Sequence, residues 1–184
     1  MKTKITDEQI ALLIQDERTL ELGFRYLVDT YSEPLYHHIR RIVLTHENAN
    51  DVLQNTFMKA WLGCENFEGR SKISTWLYRI AVNESLSFIE KNKNRFALDI
   101  DNPEHGLEDM LKSDSYFCGD ELAIELQKAI QELPEKQRLV FLMKYYDDMK
   151  YTEISKILGT SVGALKASYH HATNKIEEYF RKLD

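Results

Sequence analysis

The helical spacing of apolar residues that runs through most of this chain stops once, between residues 96 and 120. That segment, FALDIDNPEHGLEDMLKSDSYFCGD, carries Pro103, Gly106 and Gly119 among many carboxylates. It reads as a partly disordered linker between two helical stretches. No stretch alternates β-branched with polar residues, so no sheet is expected, and no internal repeat is visible. The fold class that follows is all-α: two helical domains joined by an acidic linker, with boundaries at 1–95, 96–121 and 122–184. A chain of 184 residues is long enough for two small cores.

Local signals place the helices. Thr6 caps a short helix starting near Asp7. A second runs from about Leu20 to Tyr31. Ser32 followed by Pro34 predicts the start of a third, with proline in its first turn, reaching about Leu44. A fourth is expected over Ala49–Cys64 and a fifth over Ser74–Asn94. Beyond the linker come a helix at about 121–132, one starting at Pro134, a short one over Thr152–Leu158 and a long one over Ser161–Phe180.

Charge is distributed unevenly. The net charge is −6, an unfavourable figure for a nucleic-acid binder. Residues 1–95 carry 13 basic and 13 acidic side chains, residues 96–121 carry 1 and 8, and residues 122–184 carry 10 and 9. The deficit therefore lies in the linker. Neither flank is basic enough to hold DNA tightly by phosphate neutralisation alone, so a DNA reader of this composition needs help.

Several classes drop out. No apolar run is long enough to span a bilayer, and Met1–Gln9 lacks the apolar core of a signal peptide, which predicts a cytoplasmic protein without membrane insertion. Cys64 and Cys118 read as free thiols, without disulfide or zinc spacing. The adjacent pairs His37–His38 and His170–His171 diverge by about 100° on a helix and do not share an ion. No carboxylate pair, nucleophile–base set or phosphate loop is present, so neither an enzyme nor a cofactor is expected.

Three constellations remain. On a helical wheel of DVLQNTFMKAW, Leu53, Phe57 and Ala60 form the core face with Trp61 at its edge. Asp51, Gln54, Asn55, Met58 and Leu62 gather opposite, a mixed surface of the kind protein partners use. The same wheel also suits an ordinary surface, with Met58 and Leu62 covered by the first helix. Next, the loop ENFEGRSKIS carries Phe67, Arg70, Ser71 and Lys72. It leads into a helix that is apolar around most of its girth, Trp76 included, except for the stripe Thr75–Arg79–Asn83–Ser87. Arg and Asn offer donors to phosphates and base edges, and an aromatic beside them suits an unstacked base; a solvated stripe and a plain loop fit as well. Last, the short helix after Tyr151, the turn at Gly159, the cap at Ser161 and the longer helix match a helix-turn-helix. Val162, Leu165, Tyr169, Ala172 and Ile176 make its apolar face. Gly163, Lys166, Ala167, His170, His171 and Asn174 lie on its other faces: the small residues Gly163, Ala164 and Ala167 would let the helix sit close to DNA, and Lys166, His170 and Asn174 would reach bases or phosphates, although a structural helical hairpin has the same spacing.

Taken in order, these motifs resemble the sigma-70 family of RNA polymerase sigma factors, in its extracytoplasmic-function (ECF) group. DVLQNTFMKAW is similar to the region-two helix Asp-x-x-Gln-Glu-x-Phe-x-x-x-Trp that docks on the clamp helices of the polymerase β′ subunit. Asp51, Gln54, Phe57 and Trp61 match, and Asn55 stands where Glu is usual. FEGRSKISTWLYRIAVN is similar to the part that opens and reads the minus-ten element. ELPEKQRLVFLMKYYDDMKYTEISKILGTSVGALKASYHHA is similar to region four, which reads the minus-thirty-five element. The resemblance covers about residues 20–95 and 122–180. It departs from the family in the recognition helix, where Ser168 and His171 replace the two usual arginines, and LKASYHH is similar to the form seen in Bacteroidota.

The resemblance implies a sigma region 2 helix bundle and a sigma region 4 helix-turn-helix that direct promoter-specific transcription initiation. It assigns polymerase docking to Asp51, Gln54, Asn55 and Met58. It assigns the minus-ten strand to Phe67, Arg70, Ser71, Lys72, Thr75, Trp76, Arg79 and Asn83. It assigns the minus-thirty-five duplex to Thr152, Ser161, Gly163, Lys166, Ala167, His170, Asn174 and Lys175. Implied partners are core RNA polymerase through the β′ clamp helices and the β subunit, promoter DNA, and an anti-sigma factor, with the free protein a monomer. The linker either threads a basic polymerase channel or serves as a solvated tether. A free-standing helix-turn-helix regulator and a helical adaptor are the rival classes.

Overall fold

The computed structural model describes residues 5–92, Leu111 and residues 121–183. Among them every regular element is helical: α1 (Asp7–Gln15), α2 (Leu20–Val43), α3 (His46–Gly63), a 3₁₀ turn at Cys64–Asn66, α4 (Ile73–Lys91), α5 (Glu121–Gln131), α6 (Glu135–Tyr145), α7 (Tyr151–Leu158) and α8 (Val162–Arg181). The linker expectation falls outside the described residues, except for Leu111, which is helical and buried. Two compact units form, Met1–Phe88 with Thr152–Thr160 and Ile89–Tyr151 with Ser161–Asp184.

In the first unit, α1 begins with a reciprocal cap. The Thr6 hydroxyl accepts from the Gln9 amide, and the Gln9 side chain accepts from the Thr6 amide at 2.9 Å, which satisfies two donors that a helix start otherwise leaves open. Ile10 and Ile14, one turn apart, are the buried stripe. The chain reverses at Thr19, whose hydroxyl donates to the Leu13 carbonyl at 2.8 Å. The return strokes meet at Gly23, where a Cβ would lie 2.8–2.9 Å from Leu13 and the Ile14 amide nitrogen. The two backbones touch there.

The expected break at Ser32–Pro34 is absent: α2 is one helix of 24 residues with Pro34 inside it. Ser32 does not cap a new helix. Its hydroxyl turns back and donates to the Val28 carbonyl at 2.6 Å, and Pro34 sits on the exposed side. The helix ends at Leu44, which takes a left-handed φ of 67°. A leucine accepts that strain with its side chain fully inside the core. Thr45 then caps α3, accepting from the Asn48 amide at 3.2 Å.

The core stripe of α3 is Ala49, Val52, Thr56 and Ala60, not the expected Leu53–Phe57–Ala60. The Thr56 hydroxyl is made compatible with burial by donating to the Val52 carbonyl at 2.7 Å. Leu53 and Phe57 flank the stripe, half-buried, and Phe24 of α2 stands edge-on to Phe57. Cys64 is buried and its thiol is pushed up to about 11 by desolvation; Cys118 lies outside the described residues. In the second unit α8 packs on α6 and α5. Five consecutive residues of α6, Leu139–Met143, are buried, the mark of a helix covered on all sides. Tyr179 of α8 donates to Glu125 of α5 at 2.8 Å.

Candidate functional site

Three regions carry the residues singled out in the sequence. The first is the outer face of α3. Asp51, Gln54, Asn55, Met58 and Leu62 are all exposed, with Met58 at 56% and Leu62 at 73%. Trp61 is exposed as well, at 41%, its ring braced edge-on by Phe24 at 4.9 Å. The wheel reading put Trp61 at the rim of the core. The actual core stripe is turned toward Val52 and Thr56, and this moves Trp61 outward to join Met58 and Leu62. The result is an apolar patch rimmed by one carboxylate and two carboxamides.

The second surface is the loop before α4 and the exposed stripe of α4. Arg70 is exposed and ion-paired with Glu68. The Ser71 hydroxyl donates to the Lys72 carbonyl at 3.3 Å. Arg79, Asn83 and Ser87 are exposed. Thr75, expected in that stripe, is buried at 4%, because α4 turns the Ile73–Leu77–Ala81 side and the neighbouring Thr75 inward together. Phe67 is buried too, at 6%, its ring tilted against Trp76 at 5.2 Å, so it props the half-buried Trp76 from beneath.

Besides Arg70, two more cations of this surface have partners within the same unit: Lys72 of the loop, whose Nζ is 2.7 Å from the Glu153 carboxylate, and Arg79 of α4, which donates to the Lys156 carbonyl. The hydrogen bond that Lys72 donates to Glu153 holds its ammonium above the ordinary pKa.

Sequence reasoning gave α1 no part in this surface, yet α1 contacts it twice. Gln15 Nε2 donates to the Phe67 carbonyl at 3.3 Å, and the Ser74 hydroxyl donates to Asp7 at 2.6 Å. Asp7 also accepts from Tyr31, and that phenol is raised well above its usual range, by burial first and by Asp7 second. Nothing in the local pattern of α1 announces these bonds, which join positions 52 and 67 residues apart.

The third set of residues follows the chain through α7, the turn after it and α8. Gly159 closes α7 with a φ of 63°, a conformation that glycine takes at no cost. The Ser161 hydroxyl accepts from the Ala164 amide at 3.3 Å. Thr152, Ser161, Gly163, Lys166, Ala167, His170, His171, Asn174 and Lys175 are exposed, while Leu165, Ala172 and Ile176 are buried. Asn174 Nδ2 and His170 Nε2 are 3.3 Å apart. Ser161→Ala is expected to cost about 1 kcal/mol in stability, measured as a shift in the urea midpoint of the second unit's transition.

Among the described residues no group of three or more His, Cys, Asp or Glu is placed to hold a metal ion, and no helix is long and apolar enough to cross a membrane.

Residues 27–95 match the family described as Sigma-70 region 2, and residues 123–176 match Sigma-70, region 4. The ECF RNA polymerase sigma factor SigW of Bacillus subtilis is 32% identical over 171 residues, covering 88% of this chain and 90% of that protein. The RNA polymerase sigma-H factor of Pseudomonas aeruginosa is 28% identical over 100% of this chain and 98% of its own. Two solved structures share the fold. CnrH in complex with the cytosolic domain of CnrY has a TM-score of 0.67 at 20% identity, covering 97% of both chains. The sigma factor RpoE in complex with the anti-sigma factor NepR from Bartonella quintana has a TM-score of 0.66 at 24% identity, covering 86% of this chain and 96% of that one.

Proposed function

Because the chain belongs to the sigma-70 family, among the ECF RNA polymerase sigma factors, we propose that it binds core RNA polymerase in the cytoplasm and directs it to a particular set of promoters. The observation that carries this reading is the outer face of α3. Met58, Trp61 and Leu62 are large apolar side chains left in water beside Asp51, Gln54 and Asn55. An exposed apolar patch with a polar rim is what a protein partner covers. The helix-turn-helix of a free-standing regulator accounts for α7 and α8 but not for this face of α3.

In this mechanism the α3 face docks on the polymerase β′ clamp helices. The exposed side of α8, led by Lys166, Ala167 and His170, enters the major groove of the minus-thirty-five duplex. Arg70, Lys72, Arg79 and Asn83 hold the displaced non-template strand over the Phe67–Trp76 pair. Separating each base step costs a few kcal/mol, offset by docking and strand capture together. Both flanks of the linker are close to neutral, so the free protein binds DNA weakly and the polymerase supplies most of the basic surface. The replacement of two family arginines by Ser168 and His171, the Bacteroidota-like form, lowers phosphate contact further and makes the reader more dependent on polymerase. An anti-sigma factor, the kind of partner seen on the Bartonella relative, would act by covering one of these surfaces. The protein's role is recognition, with bond chemistry left to the polymerase.

The test is transcription from a promoter library by core polymerase with and without the purified protein. Promoter-specific transcripts that need the protein are expected. Tight specific DNA binding by the protein alone, without any effect on polymerase, would favour a free-standing regulator.

A further inference from the structure

The loop between the 3₁₀ turn and α4 is tied to α1 at both ends. At its entry, Gln15 donates to the Phe67 carbonyl. Just past its exit, Ser74 in the first turn of α4 donates to Asp7, and Asp7 is itself fixed by Tyr31 of α2. Between the two ties, the loop backbone turns through Gly69 in the left-handed region with φ 71°, and a Cβ there would lie 3.0 Å from Gln15 Nε2. The loop thus lies directly against the Gln15 carboxamide. A groove of about 520 Å³ runs between them, with Glu8, Ala11 and Gln15 on the α1 side and Glu68, Ser71 and Lys72 on the loop side. The region-two match begins at residue 27, so no part of α1 is included in it.

We propose that α1 is a clamp that presets this loop for capture of the single-stranded non-template DNA, with Gln15 and Asp7 as positioning residues. The proposal rests on the reading of the loop as the strand-holding segment. The physical basis is ordering entropy. A loop that must be immobilised when a ligand binds costs affinity, and one already held in place does not. The Phe67 carbonyl and the Ser74 hydroxyl are the two points where α1 fixes the loop's course by side-chain hydrogen bonds. The side chains that meet DNA, Arg70 and Lys72, lie between them. Loosening the clamp therefore weakens strand capture and leaves docking through α3 and duplex reading through α8 unchanged, because those surfaces belong to other helices.

The experiment uses holoenzyme assembled from the full chain and core polymerase. The probe is a fluorescent single-stranded oligonucleotide selected from a random pool by the wild-type holoenzyme. Gln15→Met keeps the length and removes the donor without adding charge, Gln15→Glu also sets a carboxylate against the carbonyl, and Gln15→Lys restores a donor. Strand affinity is expected to fall about three- to tenfold for Met and further for Glu, in line with one lost hydrogen bond. Lys should stay within about twofold of wild type on the same reasoning. Affinity for core polymerase should not change.

A Met variant that binds the strand like wild type overturns the clamp. So does one whose strand affinity, core affinity and melting temperature fall together, since that is a plain stability defect. Arg70→Ala and Lys72→Ala separate the two levels. If they weaken strand binding and Gln15→Met does not, only the clamp is lost. If none of the three has an effect, the strand-holding reading of the loop fails and takes the clamp with it.

Discussion

Asp51→Arg is expected to abolish stable binding to core RNA polymerase while leaving the fold intact. Asp51 lies on the exposed side of α3, opposite the stripe Ala49–Val52–Thr56–Ala60 that holds the helix in the core. A longer, oppositely charged side chain meets only water there, and surface changes of this kind shift stability by no more than about 0.5 kcal/mol. At a desolvated contact the same change replaces an attraction with a repulsion and leaves a partner cation buried and unpaired. That costs about 3 kcal/mol or more, at least a hundredfold in affinity. Equilibrium binding to labelled core polymerase measures the loss, and thermal unfolding of the two proteins side by side controls for the fold. A variant that still binds like wild type would remove α3 as the docking face.

Gly23→Ala has the opposite profile: it attacks the scaffold. In an exposed helix this exchange would gain about 1 kcal/mol from helix propensity. Here the added methyl would sit 2.8 Å from Leu13 Cβ and 2.9 Å from both the Leu13 carbonyl carbon and the Ile14 nitrogen, and backbone does not rotate out of the way. Either α1 lifts off α2 or the interface is strained throughout. With contacts this short the overpacking cost falls at the upper end of roughly 1–3 kcal/mol and exceeds the propensity gain by about 2 kcal/mol, so the melting transition of the first unit should fall by about 10 °C. Gly163→Ala is the matched control. Nothing lies within 4 Å of the position its Cβ would take, so the free protein should be slightly more stable. If the two substitutions behave alike, the close approach of α1 and α2 is wrong.

The parts of this architecture that depend on near neighbours could be read directly from the chain. Thr6 and Ser161 mark helix starts through bonds that span only three residues, Gly159 marks a helix end by its left-handed φ, and all three stand where those signals put them. Signals with two local meanings misled. Ser32 before Pro34 looks like a helix start, but a serine hydroxyl can also bond to the carbonyl one turn behind, and here it does. On α3 the wheel gave weight to the large apolar residues Leu53 and Phe57. The tight packing of α2 on α3 instead selected the small residues Ala49, Val52 and Ala60 and a threonine able to satisfy its own hydroxyl. The same limit applies to the loop before α4. Its basic residues were legible as a candidate site, whereas the burial of Phe67 and Thr75 and the hold of Gln15 depend on packing between distant parts of the chain.

In the first unit α1 packs on α2, and α2 on α3, so each of these helices finds its partner in the stretch of chain beside it. Topologies of this kind fold in microseconds to milliseconds, while a ribosome adds roughly 5–20 residues per second. About 100 residues separate the end of α3 from the start of α8, several seconds of synthesis at that rate. The two ends of this molecule therefore mature at different times. The face proposed to meet polymerase is finished on the nascent chain while the helix proposed to read DNA has yet to be made.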